Sequence, residues 1–182
     1  MNTYSYADGS PQALRDLLGP VRQVGYIVDD IEAAALDWVN RFGIGPWRLK
    51  PHVVFDSCRY RGAAIEVDIA IGSATSDGLE IELIGVNGGP ASMYSDFLAA
   101  KGPGAQHVCY YPTDYDAAHA HLTATGLTPV LEGTIHGVDF SYLEDRRGQV
   151  IEIARLSDAA LAERSERAIA AATWDGSSPL GA

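Results

Sequence analysis

Hydrophobic and polar positions change period along this chain twice, in the same order each time. VRQVGYIV, starting at Val21, has the apolar run of a strand. DDIEAAALDWVNRFG then puts Ile31, Ala34, Ala35, Trp38 and Phe42 on one helical face, with Asp29 as cap, Glu32 three residues on and Gly43 as stop. WRLKPHVVF predicts a strand, DSCRYRG an irregular stretch, AIEVDIAIG an alternating strand, and LEIELIGV a last strand after the turn ATSDG. From residue 105 the order returns as QHVCYY, a helix from Thr113 to Gly126, TPVLEGTI, GVDFSYLED, a turn at Arg147 and Gly148, and QVIEIARL. Each block reads strand, helix, three strands.

The blocks align residue by residue. Gln23 falls on His107, Tyr26 on Tyr110, Asp30 on Asp114 and Ala33-Ala34 on Ala117-Ala118, while GLEIELI against GQVIEIA places Gly78 on Gly148, Ile81 on Ile151 and Glu82 on Glu152. A repeated supersecondary unit predicts two modules that bury apolar faces together about a pseudo-twofold axis, so that matched positions converge on one cleft. The expected class is α+β: two tandem βαβββ modules forming a curved mixed sheet, plus a C-terminal helix. The expected boundaries are an N-terminal extension over 1–19, a first module over 20–88, a linker helix over 89–104, a second module over 105–156, and a C-terminal helix and tail over 157–182, with the modules of 20–156 forming one domain. The C-terminal SDAALAERSERAIAAATWDG is amphipathic, capped by Ser157 and stapled by Leu156 and Leu161, and reads as packing first, with closure over the cleft or a junction between subunits as the alternatives.

Composition narrows the partners. A chain of 182 residues, 47% hydrophobic, suits a domain with a real core. Its net charge of −11 argues against nucleic acid and anionic membrane, and makes a phosphate-rich substrate such as a coenzyme A thioester less comfortable. Apolar stretches break off well before the roughly 18 residues of a membrane span, and the polar start MNTYSYADGSPQ is unlike a signal, so a cytoplasmic setting is expected. Cys58 and Cys109 stand far apart with no CxxC, which suggests neither a disulfide framework nor a cysteine zinc site.

Candidate chemistry follows from strand alternation. If Ile81 and Leu83 pack under the helices, Glu80, Glu82 and Ile84 face the other way, as Glu152 does in its copy, while Gln23 and His107 lie opposite Val24 and Val108. An imidazole, two carboxylates and an amide oxygen suit one divalent ion such as Zn, Ni, Co, Mn or Fe(II). Glu66 and Asp68 alternate onto one face of AIEVDIAI, either behind such ligands, as a base, or at an exposed sheet edge. Trp47, His52, Tyr60, Tyr111 and Phe140 either wall a substrate pocket or pack in the core. His119 and His121 sit mid-helix, toward solvent or the packing surface.

The segments QVGYIVDDIEAA, LEIELIGV, AQHVCYYPTDYDAA and GQVIEIARL, in this order, resemble the vicinal-oxygen-chelate superfamily, which includes glyoxalase I, methylmalonyl-CoA epimerase, extradiol dioxygenases and bleomycin-resistance proteins. The resemblance spans about residues 20 to 156. It implies one divalent metal per chain held by Gln23, Glu82, His107 and Glu152, a set similar to that of eukaryotic-type glyoxalase I. PASMYSDFLAAKGPGAQH is similar to an epimerase linker, whereas RYRGAAIEV carries Arg61 near the place of the epimerase acid, and no glutathione-binding pattern is present. The implied activity is that of a metal-dependent lyase or isomerase acting on a small, fairly apolar oxygenated substrate through an enediolate or enolate, with Glu152 as base and Glu82 as reciprocal acid/base. A homodimer is the expected assembly. The alternatives are a non-catalytic protein that sequesters an aromatic ligand and, third, an oxygenase.

Overall fold

The computed structural model describes residues 10–181, which form five helices and eleven strands; the two periodic blocks supply α2, α4 and the first ten strands. α1 (Pro11–Leu18) lies in the N-terminal extension; Ser10 caps it by accepting the N–H of Ala13, and Pro11 suits a first turn whose N–H has no partner. β1 (Val21–Val28) leads into α2 (Ile31–Phe42). Asp30, rather than Asp29, caps α2, because it is the carboxylate next to the first turn: its Oδ1 accepts the N–H groups of Glu32 and Ala33 at 3.0 and 2.9 Å. Gly43 ends the helix in the left-handed region, φ 66°.

β2 (Trp47–Val53), β3 (Ser57–Tyr60), β4 (Ala63–Ala64), β5 (Asp68–Ser76) and β6 (Leu79–Gly88) complete the first half. Here the structure departs from the sequence pattern. DSCRYRG is not irregular, since β3 and β4 form a hairpin whose turn residues Arg61 and Gly62 both have positive φ. AIEVDIAIG is split: its first residue, Ala64, ends β4, residues 65–67 are in no strand, and Asp68 onward belongs to β5. After α3 (Met93–Lys101), the second half runs through β7 (Gly104–Tyr110), α4 (Tyr115–Ala124), β8 (Thr128–Ile135), β9 (Val138–Glu144) and β10 (Val150–Arg155). Asp114 caps α4, whose first residue, Tyr115, lies two residues inside the start expected at Thr113. α5 (Asp158–Ala172), capped by Ser157, and the short β11 (Leu180–Gly181) close the chain.

All strands join one mixed sheet in the order β11-β2-β5-β6-β1-β7-β10-β9-β8-β3-β4. At its centre β1 and β7 run antiparallel with Val24 opposite Val108, and each is flanked by the parallel last strand of its own block, β6 or β10. A twofold through that pair carries Gln23 onto His107, Gly25 onto Cys109 and Glu82 onto Glu152. β2 and β3 stand near opposite ends of the sheet, yet only Val54, Phe55 and Asp56 separate them. Four residue steps reach at most about 14 Å. The sheet therefore curls until its ends nearly meet.

Curling sorts the apolar residues into two kinds of layer. Outside, α2 covers Trp47, Ala74, Ile81 and Leu83, and α4 covers Leu143 and Ile153. A side chain as fully buried as Leu83 contributes about 1.5–3 kcal/mol relative to an exposed one. Inside lie Val53, Cys58, Ile69, Ile84, Leu131, Phe140 and Tyr142, with Met93 and Tyr94 of α3. α5 packs against β5. It is tied down beyond its end by Trp174, whose ring lies where a side chain on Gly45 would go, and by the pairing of β11 with β2.

Candidate active site

Register alone brings the repeat-matched polar residues into two neighbouring rows across the four central strands. One row runs Glu82, Gly25, His107, Val150, and the next, two residues along and on the same face, runs Glu80, Gln23, Cys109, Glu152. Gly25 explains how the imidazole fits: a Cβ at that position would fall inside the His107 ring, so the ring lies flat across the strand where no side chain stands. The edge of the same ring meets Tyr142, with centroids 5.0 Å apart and planes at 90°.

Sequence reasoning missed the residue that orients this imidazole. β7 is irregular opposite Gly25 and Tyr26, where His107 and Ala105 pair and Gln106 is skipped. That bulge turns the Gln106 amide toward its neighbour, and Oε1 accepts the Nδ1–H of His107 at 2.6 Å. With Nδ1 so engaged, the lone pair of Nε2 is left for a ligand. His107 Nε2 stands 3.2 Å from Glu152 Oε2 and 3.8 Å from Glu82 Oε2. Both Nε2 and Glu152 Oε2 are buried without a hydrogen-bond partner, so their approach lacks hydrogen-bond geometry. Burial, then Glu152, then Glu80 push the Glu82 carboxyl well above the usual carboxylate range, against a smaller pull from Arg164 and Arg167. Burial and then Glu152 raise the Cys109 thiol in the same way, so it stays protonated and is a poor ligand.

Gln23 is held differently. Its Oε1 accepts from the Tyr111 hydroxyl at 3.0 Å and from Arg164 Nη2 at 3.2 Å. Arg164 lies over the Tyr111 ring, 4.5 Å from its centroid, and also donates to Glu80 at 3.3 Å, while Arg167 donates to Glu80 at 2.6 Å. Both arginines come from α5, which thereby roofs a cleft of about 380 Å³ whose floor includes Gln23, Glu82 and Glu152. A recess of about 70 Å³ continues past Glu82 and Glu152, walled by Phe55, Ile69, Ile84, Tyr94, Phe140 and Tyr142.

The other expected pocket residues divide. Phe140 lines both the cleft and the recess. His52 stands at the cleft mouth, its Nδ1 3.0 Å from Asp68, which also accepts from Asn87 at 3.0 Å. Tyr111 acts through its bond to Gln23. Three residues lie elsewhere. Trp47 is fully buried under α2 with its Nε1 on the Ile44 carbonyl; Tyr60 donates to Asp96 at 2.6 Å on β3, away from the cleft; and Glu66 is exposed beside the break before β5.

All four residues fit a divalent ion in type, and His107 and Glu152 fit it in orientation as well. Two ligands about 2.0–2.1 Å from an ion sit roughly 3 Å apart, close to the 3.2 Å between His107 Nε2 and Glu152 Oε2, and both atoms lack another partner. No group of three or more His, Cys, Asp and Glu side chains among the described residues is already drawn together as a metal cage, and Glu82 is the arm that stands open. Gln23 would join as a fourth ligand only by releasing Tyr111 or Arg164, since each occupies one lone pair of its Oε1.

A family model described as "Glyoxalase/Bleomycin resistance protein/Dioxygenase superfamily" matches residues 22–142. No curated protein matches the chain. Among solved structures, methylmalonyl-CoA epimerase from Mycobacterium tuberculosis is similar with a TM-score of 0.60 at 20% identity, over 81% of this chain and 94% of that one. A hypothetical protein from Bacillus halodurans gives 0.57 at 15%, over 76% and 95%. A Streptomyces coelicolor methylmalonyl-CoA epimerase variant, in complex with 2-nitronate-propionyl-CoA, gives 0.51 at 20%, over 77% and 99%. At these identities the likeness is one of fold.

Proposed function

Because the chain belongs to the glyoxalase/bleomycin resistance protein/dioxygenase superfamily, we propose that it is a metal-dependent lyase or isomerase that moves a proton at the carbon next to a substrate carbonyl. The observation that carries this reading is the His107 Nε2, freed for a ligand by Gln106 and buried without a partner beside Glu152 and Glu82. Held by His107, Glu82 and Glu152, with Gln23 as a fourth donor, an ion such as Zn, Ni, Co, Mn or Fe(II) would supply Lewis-acid polarisation of that carbonyl.

The chain's own groups do the rest. Glu152 takes the proton from the carbon, leaving an enolate or enediolate. Glu82, across the His107 ring, is the reciprocal acid: once released from the ion, its buried carboxyl, raised in the metal-free protein, can hold the proton that returns to the product. Return to the other face gives epimerisation, and return to a neighbouring atom gives isomerisation or a lyase-type rearrangement. Gln106 keeps the imidazole in one tautomer throughout, and α5 with the aromatic recess keeps water from the reacting carbon.

The test is elemental analysis of protein purified without added metal, followed by titration of chelator-treated protein. About one divalent ion per chain is expected, with affinity reduced at least roughly 10- to 100-fold by His107→Ala or Glu152→Gln. Undiminished uptake in the quadruple variant of Gln23, Glu82, His107 and Glu152 would remove the site, and protein that takes up no ion would favour sequestration over catalysis.

A further inference from the structure

We propose that the mouth of the cleft is a carboxylate-binding subsite: Arg48 and Lys50 of β2 and Arg164 and Arg167 of α5 hold the carboxylate of a small organic acid, whose apolar branch enters the recess beyond Glu82 and Glu152. The inference rests on the reading above for its carbonyl chemistry and adds the class of substrate.

Four cations line this mouth in a chain whose net charge is −11. They outnumber the carboxylates paired with them. Glu163 Oε1 is 3.0 Å from Arg48 Nη1, 3.2 Å from Lys50 Nζ and 3.3 Å from Arg167 Nη1, so three cations converge on one oxygen. Glu80 takes Arg167 and Arg164. Donors are left over, because an arginine carries five N–H groups. The Nε atoms of Arg164 and Arg167 are buried without a hydrogen-bond partner, that of Arg164 lying 3.3 Å from Glu80 Oε2 without hydrogen-bond geometry. The remaining carboxylates of the cleft, Glu82 and Glu152, are the ones a divalent ion would balance, which leaves the mouth with a surplus of positive charge. α5 adds to it, since Ser157, Ala159 and Ala160 at its N-terminus line the same cavity, although Asp158 sits in that first turn.

The cluster suits a carboxylate because a carboxylate already sits on it: Glu163 shows that three of the cations reach one carboxylate oxygen. Size sets the rest. About 380 Å³ of cleft is at the lower end of ligand sites, and about 70 Å³ of apolar recess takes a small branched alkyl group. A small 2-oxo or 2-hydroxy acid with such a branch would put its carboxylate on the arginines and its oxygen toward His107.

The test is calorimetric titration of chelator-treated protein with α-ketoisovalerate, its uncharged methyl ester and inorganic phosphate, at low ionic strength. Saturable binding of the acid is expected, weaker by roughly tenfold in Arg48→Gln/Lys50→Gln and for the ester. These two side chains are 40% and 48% exposed, so the variant folds. Glu163→Gln should tighten binding several-fold, because it removes the competing carboxylate, whereas a merely structural Glu163 would leave affinity unchanged or lower. Equal affinity for acid and ester, an unaltered double variant, or phosphate bound more tightly than the acid would each overturn the subsite. Repeating the titration with manganese separates the two readings: acid binding that persists unchanged by manganese supports the subsite while counting against the metal.

Discussion

Replacing Gly25 with alanine tests the centre of the site without touching any residue that carries its chemistry. The new Cβ would overlap Cε1, Nδ1 and Nε2 of His107, so the ring must leave its place or the two central strands must part. Overpacking of this kind costs about 1–3 kcal/mol, and loss of the Nδ1–H to Gln106 bond adds about 1 kcal/mol. Alanine recovers about 0.4–1 kcal/mol through the unfolded chain. A net loss of roughly 2 kcal/mol corresponds to a fall in Tm of about 4–8 °C for a protein of this size. Urea denaturation of Gly25→Ala, His107→Ala and the double variant would isolate the interaction, since the clash vanishes once the ring is gone. The expected coupling is about 2 kcal/mol, with metal affinity in Gly25→Ala reduced about 10-fold or more. Additive stabilities, or a Gly25→Ala protein that binds metal as the parent does, would show that the imidazole does not lie over Gly25.

Glu152→Gln should abolish deuterium wash-in at the substrate carbon even at saturating metal, because an amide cannot accept the proton; exchange at the parental rate would move the base to Glu82. Gln106→Leu should lower metal affinity about 10- to 100-fold, with the pH at half-saturation displaced, and unchanged titration would deny Gln106 its hold on the tautomer. Glu82→Gln should stabilise metal-free protein at neutral pH. The raised carboxyl makes the folded state bind more protons than the unfolded one, so the parent loses stability as pH rises from the ordinary glutamate range through the raised value, and thermal melts of the variant should lack that slope. Parallel melting curves for the two proteins across that range would refute it.

What could be read in the sequence was whatever the repeat states twice. Alternation and the residue-by-residue match of the two blocks place β1, α2 and β6 against β7, α4 and β10, and the same matching picks out Gln23, Glu82, His107 and Glu152, although it misplaces the cap of α2 by one residue. The rest depends on events that no local pattern encodes. Gln106 faces His107 only because a bulge reverses its direction. Arg164 meets Gln23 across 141 residues, carried there by a helix whose amphipathic pattern fits packing and closure alike. Trp47 looks like a pocket aromatic until β2 turns it outward under α2, and β3 hides in DSCRYRG because its partner, β8, lies in the other half of the chain.

That last pairing bears on how the molecule folds. The β3–β4 hairpin is encoded in the first repeat but hydrogen-bonds at the edge of the second, Cys58 opposite Gly133 and Tyr60 opposite Leu131. The repeats are thus interlaced rather than docked, and neither holds a complete set of strand partners by itself. A break in the chain between Gly89 and Ser92 would yield two fragments with complementary raw edges, one owning the hairpin and the other its acceptor strand. Folding then has to bring distant segments together before either edge is satisfied, the situation of high contact order, and unfolding should proceed as one transition in which the candidate metal cleft and the interlaced edge are lost together.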